Sequence, residues 1–381
     1  CNCIIIGGFY MVEDRYKTRD FGNIFRTIYS QKQCTRQQLA DILGISLPTV
    51  TYNLNLLRES GLIYNAGAHQ STGGRKAHVF QCVSDARYAL GIDITKHHLS
   101  LVLININLDI IDKKRIRCKF TDSDEYFENL RQEIEQLLSM NETAREKFLG
   151  IGISMPVIIN QDQKTISYAT VLRLSGNIYD RMAPYIKYPF LLFNDANSAG
   201  LAESWFSDSK DSVTYLFLGN SVGGARMIGH QIDTGVNWRG GEFGHMCIVP
   251  NGQMCYCGQK GCLDAYCSAK VLSDFTNENL SAFFEELKKG ENQGYKKVFD
   301  QYLDYLAIAV KNLRMCFDSD IILGGTVGAF MGDYIEEFRK KAAALNPFEQ
   351  IADYIQVSHY RTEAAAVGAA IYYMNEFIEG L

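Results

Sequence analysis

Apolar residues recur at helical spacing early in the chain. Phe21, Ile24, Phe25 and Ile28 form one stripe, which predicts a helix over 21–29. Thr35 is placed to cap a second helix, which buries Leu39, Ile42 and Leu43 and stops at Gly44. Ser46 caps a third, with Pro48 in its first turn and Val50, Leu54 and Leu57 facing inward. The link Gly44-Ile45-Ser46 is the short turn of a helix-turn-helix. Beyond Gly61, residues 62–64 and 77–82 read as strands around a polar loop, 66–76, that holds Gly73-Gly74-Arg75-Lys76. Strand, basic glycine loop, strand is a wing.

From Tyr88 the period shortens. Residues 90–94, 99–106 and 110–118 predict three successive strands with tight connections. An amphipathic helix over 126–138 and a buried strand over 149–155 follow. The strand 190–193 runs into Asn194-Asp195-Ala196-Asn197 and a helix of small residues. Residues 213–218 and 224–228 then open a second strand-turn-strand unit. The pattern is that of an α/β protein. It divides into an arm (1–20), a winged helix-turn-helix (21–84) and a body (85–381). One lobe of the body takes about 85–194 plus 355–381, the other about 195–354.

Composition narrows the class. With 381 residues, 47% hydrophobic, the chain can build two or three domains. Net charge is -5, but residues 13–84 hold nine Lys/Arg against five Asp/Glu, so a basic head (+4) precedes an acidic remainder (-9). Only such a head needs to attract phosphates. No run is apolar enough for a membrane span. The first ten residues lack a basic leader and a cleavage site, so they are not read as a signal peptide; Met11 offers an alternative start. A cytoplasmic protein is expected.

Eleven cysteines are not needed as a disulfide scaffold in so long a chain; the count is odd and three fall within eight positions, which favours a metal site in a reducing compartment. His245, Cys255, Cys257 and Cys262 follow H-x9-C-x-C-x4-C, a donor set suited to closed, tetrahedral, structural Zn²⁺. Gly258 and Gly261 allow the chain to turn tightly there. The other eight cysteines read as ordinary thiols.

These residues carry a resemblance. Gly240-Gly241-Glu242-Phe243-Gly244-His245-Met246, the run from Cys255 to Asp264, Asn194-Asp195-Ala196-Asn197-Ser198-Ala199 and Ile322-Leu323-Gly324-Gly325 resemble the signature of the ROK family (repressors, open reading frames, kinases). With the winged head in front, the chain looks like the repressor branch, whose members answer xylose, N-acetylglucosamine or glucose status. The resemblance implies a two-lobed, actin-like ATPase (RNase H-like) fold with a ligand cleft. It implies sugar contacts from Asn194, Asp195, Glu242 and His245, with His245 also ligating zinc. Asp264 stands where the family has a sugar-binding glutamate, and being one methylene shorter it should reach less far.

The same resemblance argues against catalysis. Family kinases carry an Asp-x-Gly-Gly-Thr loop; here Asp93-Ile94-Thr95-Lys96-His97 has lost both glycines. The second phosphate loop reads Gly219-Asn220-Ser221. Side chains there crowd a nucleotide, so ATP is not expected and Asp195 is a sugar ligand, becoming a general base only if kinase activity persists. Residues 169–181 also lack the family's Pro-Asn and Trp, which points to an unusual effector.

On the head, Pro48, Thr49, Thr51, Tyr52 and Asn55 lie off the apolar stripe of the third helix and are candidates for the major groove. Arg36 and Arg58 fit backbone contacts, and Arg75 and Lys76 on the wing fit phosphates or a minor groove. One small head binds weakly, so a homodimer or homotetramer on a palindromic operator is expected. The expected whole is a sugar- or sugar-phosphate-responsive regulator. A ROK kinase with a DNA-binding head and a regulator with a vestigial pocket controlled by a protein partner are the alternatives.

Overall fold

The computed structural model describes residues 3–6, 9–12, 19–68, 78–169, 171–172, 174, 177–205 and 212–381. The head forms for local reasons. Helix Arg19–Gln31 buries Phe21, Ile24, Phe25 and Ile28 completely. Thr35 starts helix Arg36–Leu43 with a capping box: its hydroxyl accepts from the Gln38 N–H, and the Gln38 side chain accepts from the Thr35 N–H. Gly44 ends that helix at φ 65°. Ser46 accepts from the Thr49 N–H at 3.3 Å and opens helix Leu47–Glu59, which buries Val50, Leu54 and Leu57. Ile42 departs from expectation at 57% exposed. Ala40 faces inward, and a residue two positions on lies about 200° round the helix, facing out.

Strand His78–Cys82 pairs antiparallel with Ile63–Ala68 and also with the short strand Cys34–Thr35. The wing loop, with Arg75 and Lys76, lies outside the described residues. The arm is more structured than its name: Cys3–Ile6 pairs with Phe9–Val12, and the first helix already starts at Arg19.

The body repeats one sheet twice. In the first, Phe190–Asn194, Phe148–Met155, Tyr88–Ile94, His98–Asn105 and Ile110–Arg117 lie side by side. The last three form an antiparallel meander; the first two add in parallel. The second sheet runs Gln231–Ile232, Val222–Ile228, Ser212–Leu218, Asp320–Gly324 and Ile355–Val357. There too a three-strand meander is extended by two parallel strands. This corrects the expected lobe boundary: Ile355 pairs with Ile321 and is fully buried in the second core, so the chain returns to the first lobe only after Val357.

Two helices, Asp195–Ser204 and Ala364–Glu379, pack between the sheets. The second opens Ala-Ala-Ala-Val-Gly-Ala-Ala, small on every face. A Cβ on Gly368 would stand 1.6 Å from the Ser198 carbonyl oxygen, so these helices cross with backbones touching. Buried Glu203 ties the Asp195 helix to the end of the second sheet. It accepts from the Ser358 hydroxyl (2.6 Å) and from the His359 and Tyr360 N–H groups (2.6 and 2.8 Å). The head shares this core: Phe21, Leu57 and Phe80 belong to the same apolar cluster as Ala366, Met374 and Phe377. Tyr29 also meets Trp205 edge-on, with centroids 6.2 Å apart.

Candidate metal centre and ligand cavity

The two lobes enclose a cavity of about 180 Å³. The first lobe contributes the end of strand Phe190–Asn194, and the second contributes Glu242 and His245. Asn194 is the N-cap of the next helix: its Oδ1 accepts from the Asn197 N–H at 2.9 Å, and its Nδ2 donates to the Val157 carbonyl at 2.9 Å. Capping fixes Asp195 at the first turn, where its Oδ1 accepts from the Ala196 N–H at 2.8 Å. Burial, aided by the nearby charge of Glu242, pushes the Asp195 carboxyl up to about 6. Burial also raises Glu242, against the pull of His245 and Arg239. Behind them Asp93, which accepts from the Ser154 hydroxyl at 3.2 Å, is pushed up to about 7 by burial and by Asp195. Desolvated carboxylates facing a cavity are acceptors for hydroxyl groups.

His245 joins the cavity to the cysteine cluster. Its Nδ1 lies 3.8 Å from Cys255 Sγ, and its Nε2 lies 3.3 Å from Tyr256 Oη and 4.0 Å from Glu242 Oε2. Cys257 and Cys262 sulfurs are 3.8 Å apart, and the four donor atoms of His245, Cys255, Cys257 and Cys262 lie within 4.8 Å of one another. Tetrahedral bonds of ~2.3 Å place two sulfurs about 3.8 Å apart, so this set fits a closed zinc site. The loop closes by backbone bonds from Cys255 N–H to Gln259 O (2.8 Å) and Gly258 N–H to Cys255 O (3.0 Å). Gly261, at φ 86°, packs so tightly that a Cβ would come 2.0 Å from the Val249 oxygen.

Asp264 is not with them. It is 6% exposed and absent from the cavity wall, because its Oδ2 accepts from the Val222 N–H at 2.6 Å. The short side chain is used to hold the strand start instead. Conversely, Tyr256, Trp238, Asn197 and Ser198 line the cavity without having been expected there. Asn197 Oδ1 and Ser198 Oγ are buried without a hydrogen-bond partner among the described residues. The aromatic inside Cys-Tyr-Cys and a tryptophan in a glycine-flanked loop were visible signals. Part of 169–181, including Arg173, lies outside the described residues.

The two segments that correspond to the family's phosphate loops are hydrogen-bonded turns. Thr95 and His98 bond reciprocally through backbone and hydroxyl (3.0–3.2 Å), leaving Lys96 exposed. Gly219 O accepts from the Ala269 N–H at 2.7 Å. On the head, Arg36, Pro48, Tyr52, Asn55 and Arg58 are exposed, and Thr49 and Thr51 half-buried. Thr49 Oγ1 is engaged with Ser46 Oγ at 2.8 Å, and the Arg36 guanidinium lies 5.9 Å from the Phe80 ring centroid. Among the described residues no helix is long and apolar enough to cross a membrane.

Comparison with known proteins agrees with this architecture. The ROK family model matches residues 89–376, and a helix-turn-helix domain model matches 23–63. The chain is 23% identical to the xylose repressor of Caldicellulosiruptor bescii, covering 93% of this chain and 95% of that protein. It is 26% identical to a glucokinase of Halalkalibacterium halodurans over 63% of this chain and 81% of that one. The crystal structure of a ROK family transcriptional regulator, a homologue of the E. coli MLC protein, superposes with a TM-score of 0.71 at 18% identity, covering 95% of this chain and 96% of that one. The chain belongs to the ROK family, with a helix-turn-helix mounted ahead of a two-lobed, actin-like body.

Proposed function

We propose that this protein is a sugar-responsive, DNA-binding transcriptional repressor. One observation carries the reading: the helices that wall the cavity also pack against the head. Asp195, Asn197 and Ser198 on one helix, and Gly368 and Tyr372 on the other, line the cavity. The far end of the second helix shares its core with Phe21, Phe25 and Leu57 of the head. A ligand that prefers one arrangement of the lobes shifts this helix pair, and with it the placement of the head. The coverage of the xylose repressor, head included, supports the same reading.

In this reading a structural Zn²⁺ held by His245 Nδ1, Cys255, Cys257 and Cys262 stiffens the cavity wall. Asn194, Asp195 and Glu242 receive a monosaccharide or its phosphate, His245 contributes through the Nε2 that it turns toward Tyr256 Oη at the cavity wall, and Asp264 acts indirectly by holding Val222. The helix Leu47–Glu59 enters a major groove with Pro48, Thr49, Thr51, Tyr52 and Asn55 forward. Arg36, Arg58, Arg75 and Lys76 serve the DNA backbone. The working form is a cytoplasmic homodimer or homotetramer on a palindromic operator. DNA fragments selected by the protein from a random pool, then titrated with and without D-xylose, D-glucose, N-acetylglucosamine and their phosphates, test it. Release of DNA by at least one sugar is expected; indifference to all of them contradicts it.

A kinase reading is favoured by one observation, the raised Asp195 carboxyl between the lobes, and by the glucokinase relative. The closed turn at Thr95-Lys96, which lacks both glycines of the kinase loop, and Ser221 in place of a glycine in the second loop weigh against a nucleotide site. Sugar-dependent ADP release, abolished in Asp195→Asn, would establish it.

A further inference from the structure

Tyr256 stands between two residues of the metal cluster. Its ring meets the His245 imidazole edge to face, with centroids 5.4 Å apart at 67°, and its Oη lies 3.3 Å from Nε2. It is 53% exposed and lines the cavity. The polarity of that contact is set at the other side of the imidazole. Nδ1 faces the Cys255 sulfur, and with Zn²⁺ held at that nitrogen the ring proton would sit on Nε2. Nε2–H then donates to Tyr256 Oη, which leaves the phenolic O–H as a donor for the cavity. The Glu242 carboxylate, 4.0 Å from the same nitrogen, is the acceptor beside it. Asp264 also acts on the Tyr256 hydroxyl, more strongly than Glu242 does, but it does not line the cavity and its Oδ2 is engaged by the Val222 N–H.

We infer that Tyr256 is a binding and specificity-determining residue of the effector site, donating its hydroxyl to an oxygen of the ligand while Glu242 accepts from that same ligand hydroxyl. Among the ring substituents of a neutral monosaccharide, the group that accepts and donates at one oxygen is a hydroxyl, so the pair reads a ring hydroxyl. The inference rests on the sugar-binding reading above and assigns one wall of that site.

The test titrates D-xylose, D-glucose and N-acetylglucosamine calorimetrically into the full-length, zinc-loaded chain and into Tyr256→Phe, with zinc content and Tm measured on both. Loss of one hydrogen bond to the ligand is expected to weaken the preferred sugar about tenfold and to change the ratio among the three sugars severalfold. Zinc content and Tm should not change. Affinities within twofold of wild type in Tyr256→Phe overturn the assignment while leaving sugar binding intact. Loss of zinc from Tyr256→Phe also overturns it, because the hydroxyl would then be a prop of the metal loop. Absence of binding to the wild type by all three sugars, and by their phosphates titrated in the same way, overturns both the assignment and the reading beneath it.

Discussion

Arg26, on the first helix of the head, donates from Nη1 to the carbonyl oxygen of Ile378 at 3.1 Å, near the end of the helix that lines the cavity. The same guanidinium reaches the Glu379 carbonyl at 3.3 Å and Asn23 Oδ1 at 3.0 Å. Carbonyls in the last turn of a helix have no partner within it, so a cation there satisfies two needs at once. Arg26→Met keeps the packed stem and removes the donors. A loss of about 1–2 kcal/mol in stability is expected, together with a weaker effect of sugar on DNA binding and near-normal DNA affinity without sugar. Anisotropy titrations with and without sugar check this; an unchanged sugar effect would show that the contact does not couple head and body.

Sugar affinity should fall in acid. The Asp195 carboxyl, pushed up to about 6, is an acceptor at pH 8 and loses that role as pH drops through about 6. The stability effect has the opposite sign. A carboxyl raised above its unfolded value favours the fold when protonated, and that contribution disappears as pH rises through about 6. Asp195→Asn should therefore raise Tm at pH 8 more than at pH 5, and flatten part of the pH dependence of binding. Asp93 and Glu242, which face the same cluster and are also raised, supply the remainder. Calorimetry and melting at both pH values decide it; tighter sugar binding in acid would contradict it.

Cys257→Ser removes one thiolate of the metal set. Roughly one zinc per chain should be lost, and sugar affinity should drop about 10–100-fold as His245 loses its fixed orientation. The head, whose capping bonds lie in another part of the chain, should keep its fold. Metal analysis beside a sugar titration tests this, and full affinity without metal would separate the cluster from the cavity.

The proposed DNA contacts divide into base and backbone contacts. Asn55→Ala should cost about 1–3 kcal/mol and relax preference at one base pair. Arg58→Ala should weaken all sequences alike and lower the salt slope by about 1. Binding measured over a set of single-base operator variants and three salt concentrations distinguishes the two.

Local chemistry made the head readable from sequence: Thr35, Gly44 and Ser46 each act within a few residues, and all three cap where their side chains suggest. Ile42 was misplaced because a short helix has room for one narrow buried stripe, and Ala40 already faces the core. The metal set and Asp195 were legible as motifs. Asp264 was not, since the Val222 N–H that holds it is 42 residues away. Tyr256 and Trp238 had a local signal in their flanking cysteines and glycines, but their place on the cavity wall depends on the turns around them, Trp238 at a positive φ of 59°. The crossing of Gly368 over Ser198 likewise arises from two segments that no local pattern joins.

The coupling of cavity to head is most directly tested by reciprocity. Sugar affinity should be measured on the free protein and on the protein saturated with its selected DNA. If the shared helix pair links the two sites, the factor by which sugar weakens DNA binding must equal the factor by which DNA weakens sugar binding. A common factor of about fivefold or more is expected. Identical sugar affinity in the free and DNA-bound protein would contradict the link.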